Sequence, residues 1–102
     1  SNQWWKYRTV NELLQVYLDQ LKTLEEWNET ELEEALRGVA DEKELSAGKL
    51  IHPTRLALTG AAHGPSLFLL MEMIGKETCL RRLAAALERL PLKDEEVGGS
   101  SL

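Results

Sequence analysis

The run Gly48-Lys49-Leu50-Ile51-His52-Pro53-Thr54-Arg55-Leu56-Ala57-Leu58-Thr59-Gly60-Ala61-Ala62-His63-Gly64-Pro65-Ser66-Leu67-Phe68 sets two short apolar segments between glycines and prolines. A proline suits the first turn of a helix, because an N–H there has no intrahelical partner. The spacing therefore predicts a short third helix from Pro53 to Leu58 or Thr59, stopped at Gly60, and a loop over Ala61-Ala62-His63-Gly64. Pro65 then opens a fourth helix, whose apolar positions are Leu67, Phe68, Leu70, Met71 and Ile74. Gly75 follows as the residue that turns left-handed once the helix ends, since it has no Cβ to obstruct the turn.

Upstream, two longer helices are expected. Thr9-x-x-Glu12 has the form of a capping box, in which a hydroxyl and a carboxylate satisfy each other's free amides. Leu14, Tyr17, Leu18, Leu21 and Leu24 lie on one helical face, so the first helix runs from about Val10 to Glu26. Asn28 or Thr30 starts the second, with Thr30-x-x-Glu33 as another capping-box match and Leu32, Ala35, Leu36 and Val39 as its buried stripe. Glu29, Glu31, Glu33 and Glu34 crowd its first turn, where the helix dipole favours negative charge. This helix ends near Ala40–Lys43. Downstream, a fifth helix spans about Glu77 to Arg89, with Leu80, Leu83, Ala84, Leu87 and Leu90 inward, and Pro91 stops it.

No strand pattern appears, and the expected fold is all-α, a small bundle of about five helices. Its 102 residues suit one domain with one modest core. Three segments are expected: an aromatic start over 1–9, the helical domain over 10–91 and a flexible acidic tail over 92–102. Ser1-Asn2 reads as a tag scar. Trp4-Trp5-Lys6-Tyr7-Arg8 reads as packed on the domain or a neighbour, with base stacking as the sharper alternative.

The net charge of −5 is unusual for a nucleic-acid binder, but it hides an asymmetry. Residues 1–48 hold 5 Lys/Arg against 11 Asp/Glu, whereas residues 49–93 hold 7 against 3. The second half is thus a basic segment flanked by acid. No stretch approaches the roughly 20 apolar residues of a membrane span. No secretory leader opens the chain, and the single Cys79 allows no internal disulfide, which suits a cytoplasmic protein.

Catalytic constellations are missing from the pattern. Cys79 has no histidine near it on its helix and reads as a buried, inert thiol. His52 and His63 lack a third ligand at a metal spacing. The glycines at 60 and 64 bracket one short loop and Gly75 lies beyond the fourth helix, so they form no phosphate-cradling loop. A small helical enzyme would require His63, Cys79 and a carboxylate to meet in one pocket. What remains is the corner between the third and fourth helices, where Arg55, Thr59, His63 and Ser66 are polar groups among apolar ones. Such a corner is either a rigid surface offering backbone amides to an anion or a base edge, or a plain helical turn using glycine for packing.

Gly48-Lys49-Leu50-x-x-Pro53-x-Arg55-Leu56-Ala57-Leu58-Thr59-Gly60, then Gly64-Pro65-x-Leu67-Phe68, then Ile74-Gly75-Lys76-Glu77-x-x-Leu80-x-Arg82-Leu83 resembles the C-terminal signature of bacterial glutamyl-tRNA synthetases. Trp27-Asn28 and Glu31-Leu32-Glu33-x-Ala35-Leu36 resemble the helix entering that domain, and the likeness spans roughly Val10 to Leu90. The chain departs from the pattern at Thr54, where the family more often carries leucine, a change that would loosen the helix start. The family's nucleotide-binding signatures are absent, so an excised or truncated anticodon-binding domain is expected, without catalytic groups or cofactors of its own. The resemblance implies a parent ligase that joins glutamate to its tRNA with ATP and magnesium in a separate catalytic domain. It implies tRNA contacts at Arg55, Gly64, Pro65 and Leu67, with His63 beside them, Thr59 and Gly60 shaping the turn, and Leu58 and Phe68 in the core. Lys49, Lys76 and Arg81 are candidates for the phosphate backbone, and Arg82 for that role or a structural one. The expected partner is the anticodon loop of glutamate tRNA, met by a monomer. The competing reading is a helical protein-interaction domain docking through the acidic first half and Trp4-Trp5.

Overall fold

A computed structural model describes the backbone of residues 3–89 and the side chains of residues 10–89. Five helices follow one another in it: α1 (Gln3–Thr23), α2 (Glu29–Glu42), α3 (Gly48–Thr59), α4 (Leu67–Ile74) and α5 (Lys76–Arg89). No strand occurs among the described residues, as the periodicity predicts. The aromatic side chains near the N-terminus, Leu90, Pro91 and the acidic tail lie outside the described residues.

α1 is the axis of the bundle and packs against α2, α3 and α5, while α4 lies across α2 and α5. Leu13, Leu14, Tyr17, Leu18 and Leu21 of α1 are buried, and they meet Leu32, Leu36 and Val39 of α2. Leu50 and Leu58 come in from α3, Leu67, Phe68 and Met71 from α4, and Cys79 and Leu83 from α5. Removing one such leucine from water contributes about 1.5–3 kcal/mol, so a single cluster of this size holds the domain together. Its polar atoms are satisfied locally. The Tyr17 hydroxyl donates to the Leu32 carbonyl at 2.9 Å, and the Trp27 indole donates to the Met71 carbonyl at 2.8 Å. The first bond ties α2 to α1, and the second ties the connection between α1 and α2 to α4.

Helix ends depart from the sequence reading at both ends of α1 and at the starts of α3 and α4, while α2 takes the first of its two expected starts. α1 runs through Thr9 without a break and stops at Thr23, short of Glu26. The box at Thr30 does not form; Asn28 caps α2, its Oδ1 accepting the Glu31 N–H at 2.9 Å. α3 begins at Gly48, five residues before Pro53, which sits inside the helix. Pro53 removes only one ladder donor there, and the Leu50 and Ile51 amides already bond to the Ala47 carbonyl. α4 begins at Leu67, because Ser66 and not Pro65 is its cap, with Oγ accepting from the Leu69 amide at 3.4 Å.

On α5, Ala86 is buried and Ala84 exposed, so the inward stripe runs through Cys79, Leu83 and Ala86, flanked by half-buried Leu80 and Leu87. Gly60 and Gly75 do end their helices with positive φ, +77° and +96°. Among the described residues, no helix is long and apolar enough to cross a membrane.

Candidate nucleic-acid interface

The corner between α3 and α4 faces solvent, with every residue from Thr59 to Ser66 exposed. Its shape is held from within. The Thr59 hydroxyl reaches the Arg55 carbonyl at 2.9 Å and the Ala61 carbonyl at 3.3 Å, and it accepts the Ala61 N–H at 3.0 Å. Thr59 is thus engaged in building the turn, and the left-handed Gly60 completes it.

Arg55 closes the corner from the other side. It projects from the half-buried face of α3, and its Nη1 donates to the Pro65 carbonyl at 2.7 Å. A Cβ on Gly64 would stand 3.2 Å from that nitrogen, tighter than ordinary contact, so glycine gives the guanidinium its seat. One N–H of the planar fork is used in this bond, and the guanidinium carries five. Arg55, Gly64 and Pro65 therefore form one unit, with His63 exposed beside it.

Leu67 does not join them. Its side chain is 1% exposed and belongs to the core with Phe68, because α4 starts at this residue and turns it inward. The exposed leucine of this helix is Leu69, and Met73 one turn on is 72% exposed.

The basic residues divide into two kinds. Lys49 and Arg81 are exposed on α3 and α5. Lys76 is committed elsewhere: its Nζ donates to the Lys22 carbonyl at 3.2 Å and the Leu24 carbonyl at 2.8 Å, closing the end of α1. A cation suits these carbonyls, which carry the negative end of the helix dipole. Arg82 takes the structural role, its Nη1 donating at 2.9 Å to the Leu58 carbonyl in the last turn of α3. It holds that helix end, and so the corner, against α5.

Among the described residues, Cys79 and His63 are not brought together. Cys79 is fully buried, its Sγ 3.6 Å from the Met71 carbonyl, whereas His63 lies on the exposed loop. Burial pushes the Cys79 thiol up to about 11, with the nearby Arg82 charge offsetting part of the rise. Among the described residues, no three His, Cys, Asp or Glu side chains gather as metal ligands.

A family model described as an anticodon binding domain matches residues 3–87. The chain belongs to this anticodon-binding family. A glutamate–tRNA ligase of Chloroherpeton thalassium is 44% identical over 90 residues, which cover 88% of this chain and 18% of the ligase. One of Thermus thermophilus is 47% identical over 75 residues, covering 74% of this chain and 16% of that one. Among solved structures, a crystal structure of a glutamate tRNA ligase from Elizabethkingia meningosepticum, in complex with its amino acid, superposes with a TM-score of 0.76 at 31% identity. That match covers 88% of this chain and 18% of the solved one. The anticodon-binding domain therefore spans less than a fifth of the length of these relatives, and its fold recurs within the solved ligase.

Proposed function

We propose that this domain reads the anticodon loop of glutamate tRNA, with the corner between α3 and α4 as the reading surface and Arg55 as its principal polar contact. The observation that carries the reading is the solvent-facing turn with a guanidinium seated against it. Single-stranded loop bases are recognised when splayed out, by stacking and by hydrogen bonds to their edges. The exposed Pro65 ring offers an apolar face, and Gly64 lets a base approach the main chain. The N–H groups of Arg55 that do not face Pro65 donate charge-assisted bonds to a base edge or phosphate. Lys49 and Arg81 supply phosphate contacts that add affinity without sequence information. His63 borders the same surface. Leu67 takes no direct part through its buried side chain.

In this reading the domain serves a longer cytoplasmic, monomeric ligase that joins glutamate to tRNA with ATP and magnesium. Those reactants belong, in this reading, to the remaining domains of the ligase. The fragment itself selects the tRNA and catalyses nothing.

The test is a titration with glutamate tRNA and with the same tRNA altered in its anticodon, at two salt concentrations. Tighter binding of the unaltered tRNA, weakening steeply with salt, is expected. Equal affinity for both tRNAs would overturn the reading.

A further inference from the structure

A carboxylate from another helix borders the exposed corner. Glu29, the first residue of α2, lies 37 positions before Ser66 in the chain, and its Oε2 accepts from the Ser66 hydroxyl at 3.3 Å. Ser66 directly follows Pro65, whose carbonyl holds Arg55. Two opposite charges, Arg55 from α3 and Glu29 from α2, thus grip consecutive residues of one solvent-facing turn.

Packing sets the place of this carboxylate. The Glu29 N–H donates to Glu72 Oε1 at 2.9 Å, and the Trp27 indole two residues earlier donates to the Met71 carbonyl at 2.8 Å. The start of α2 is therefore fastened to α4, the helix that leaves the corner.

Helix capping does not occupy the Glu29 side chain. Glu72 takes the Glu29 amide and Asn28 takes the Glu31 amide, so other residues serve the first turn of α2. An ion pair does not occupy it either: among the described residues, the ion pairs join Lys22 to Asp19 and Arg37 to Glu33. A carboxylate accepts up to about four hydrogen bonds. Ser66 supplies one, and both residues are exposed.

Beside RNA, a carboxylate selects by its sign. It repels phosphate and accepts only from donors. Cytosine presents an N4 amine, where uracil has an O4 acceptor. The other groups on the cytosine edge, N3 and O2, are acceptors and suit the N–H groups of Arg55. Every glutamate codon begins with G, so glutamate tRNA carries a pairing cytosine in its anticodon.

We propose that Glu29 is a specificity-determining residue of the reading corner, whose carboxylate accepts the exocyclic amine of that cytosine and rejects uracil in its place. This rests on the reading of the corner as the anticodon surface. Selectivity then comes from an unfavourable contact with the wrong base as well as a bond to the right one.

The experiment titrates the unaltered chain, Glu29→Gln and Glu29→Ala with glutamate tRNA and with the same tRNA carrying uracil in place of that cytosine, alongside melting curves. The unaltered chain should prefer cytosine about tenfold, within the range of one good base-edge contact. A glutamine amide turns either an acceptor or a donor to the base, so Glu29→Gln should bind both tRNAs alike. Glu29→Ala should also lose most of the preference. The uracil-bearing tRNA should bind Glu29→Gln tighter than it binds the unaltered chain, a gain that a loosened fold does not produce.

A cytosine preference undiminished in both variants would overturn the proposal and leave the anticodon reading standing. An equal loss of affinity for the two tRNAs would also overturn it, because Glu29 would then only brace the turn. Equal affinity of the unaltered chain for the two tRNAs would remove the proposal together with the reading beneath it.

Discussion

Arg55 donates to the Pro65 carbonyl at 2.7 Å, across the turn that separates α3 from α4. The bond ties a charged side chain on a rigid helix to the main chain of an exposed loop, so the loop and the guanidinium are presented together. Arg55→Ala should therefore lose both the loop anchor and the contact to RNA. The expected loss of tRNA affinity is about 1.5–3 kcal/mol, the range for hydrogen bonds to charged groups. Arg55→Lys keeps the charge but not the planar fork and should fall between the two. The check is a tRNA titration alongside a melting curve. Unchanged affinity in a folded Arg55→Ala protein would remove this residue from the site.

Lys76 and the pair Lys49 and Arg81 should separate stability from binding. The Lys76 ammonium closes the carbonyl end of α1, so Lys76→Met should cost about 1–2 kcal/mol of stability. Its tRNA affinity should stay near that of the parent. Lys49→Ala and Arg81→Ala should do the opposite, leaving the melting temperature nearly unchanged and flattening the salt dependence of binding by about one unit each if each meets a phosphate. Urea melts and titrations at several salt concentrations give both numbers. A large affinity loss in Lys76→Met at full stability would return that residue to the interface.

The division between what could and could not be read in advance follows the range of the interactions. Gly60 and Gly75 end helices by their own backbone freedom, so their positions are visible locally. The same is true of the apolar stripe on α2 and of the exposed corner. Thr9 and Pro53 misled because a cap residue or a first-turn proline permits a helix to start without forbidding it upstream. Leu67 was misplaced by the resemblance alone, since its spacing with Phe68 and Met71 already put it among the apolar positions of α4, and all three are buried. Lys76 finds its partners 54 and 52 residues earlier in the chain, and Arg82 finds its own 24 residues earlier. No periodicity reports contacts of that separation; only the packed bundle does. The resemblance pointed to Arg55, but that its seat is made by Gly64 is a fact of three dimensions.

Thr54, where the chain departs from the signature it resembles, is fully buried. Its hydroxyl donates to the Leu50 carbonyl one turn back at 2.7 Å, so the expected loosening is offset within the helix. That carbonyl faces the Thr54 side chain on the same helix, and losing the hydroxyl leaves no distant partner stranded. Thr54→Val, nearly equal in shape, should therefore be neutral or stabilising by up to about 1 kcal/mol. Thr54→Leu adds volume to a packed site and should cost about 1–3 kcal/mol. A loss above that range in Thr54→Val, measured by urea unfolding, would show that the hydroxyl holds more than its own helix.

Glu44 is the one residue other than glycine with a positive φ among the described residues, +59°, just beyond the end of α2. The conformation lets the Glu44 N–H reach the Asp41 carbonyl and the Leu45 N–H reach the Ala40 carbonyl, both at 2.9 Å. A side chain in this left-handed region costs about 1–2 kcal/mol, which glycine avoids at some expense in unfolded-state entropy. Glu44→Gly should raise stability by about 0.5–1 kcal/mol without affecting tRNA binding. Glu44→Val should lower it, since a β-branched side chain tolerates this region poorly. Melting temperatures of the two variants test the sign.

Cys79 and Tyr17 make the fold sensitive to alkali. Both are fully buried; the thiol is raised from 9.0 to about 11, and burial likewise raises the Tyr17 phenol well above its ordinary 10.0, with the neighbouring Cys79 adding to it. In the unfolded chain the thiol gives up its proton near 9 and the phenol near 10, while the folded protein keeps both. The unfolded state therefore binds fewer protons in that range, and stability falls as pH rises. The contribution is complete below pH 9, and the thiol's part is lost between 9 and about 11. Each group adds up to about 1.4 kcal/mol per pH unit to the slope. Cys79→Ala should be less stable than the parent at pH 7, because it leaves a small cavity, yet its stability should decline less between pH 8.5 and 10.5. Urea midpoints across that interval decide the matter. Parallel curves for the two proteins would mean that the buried thiol is not what the alkali attacks.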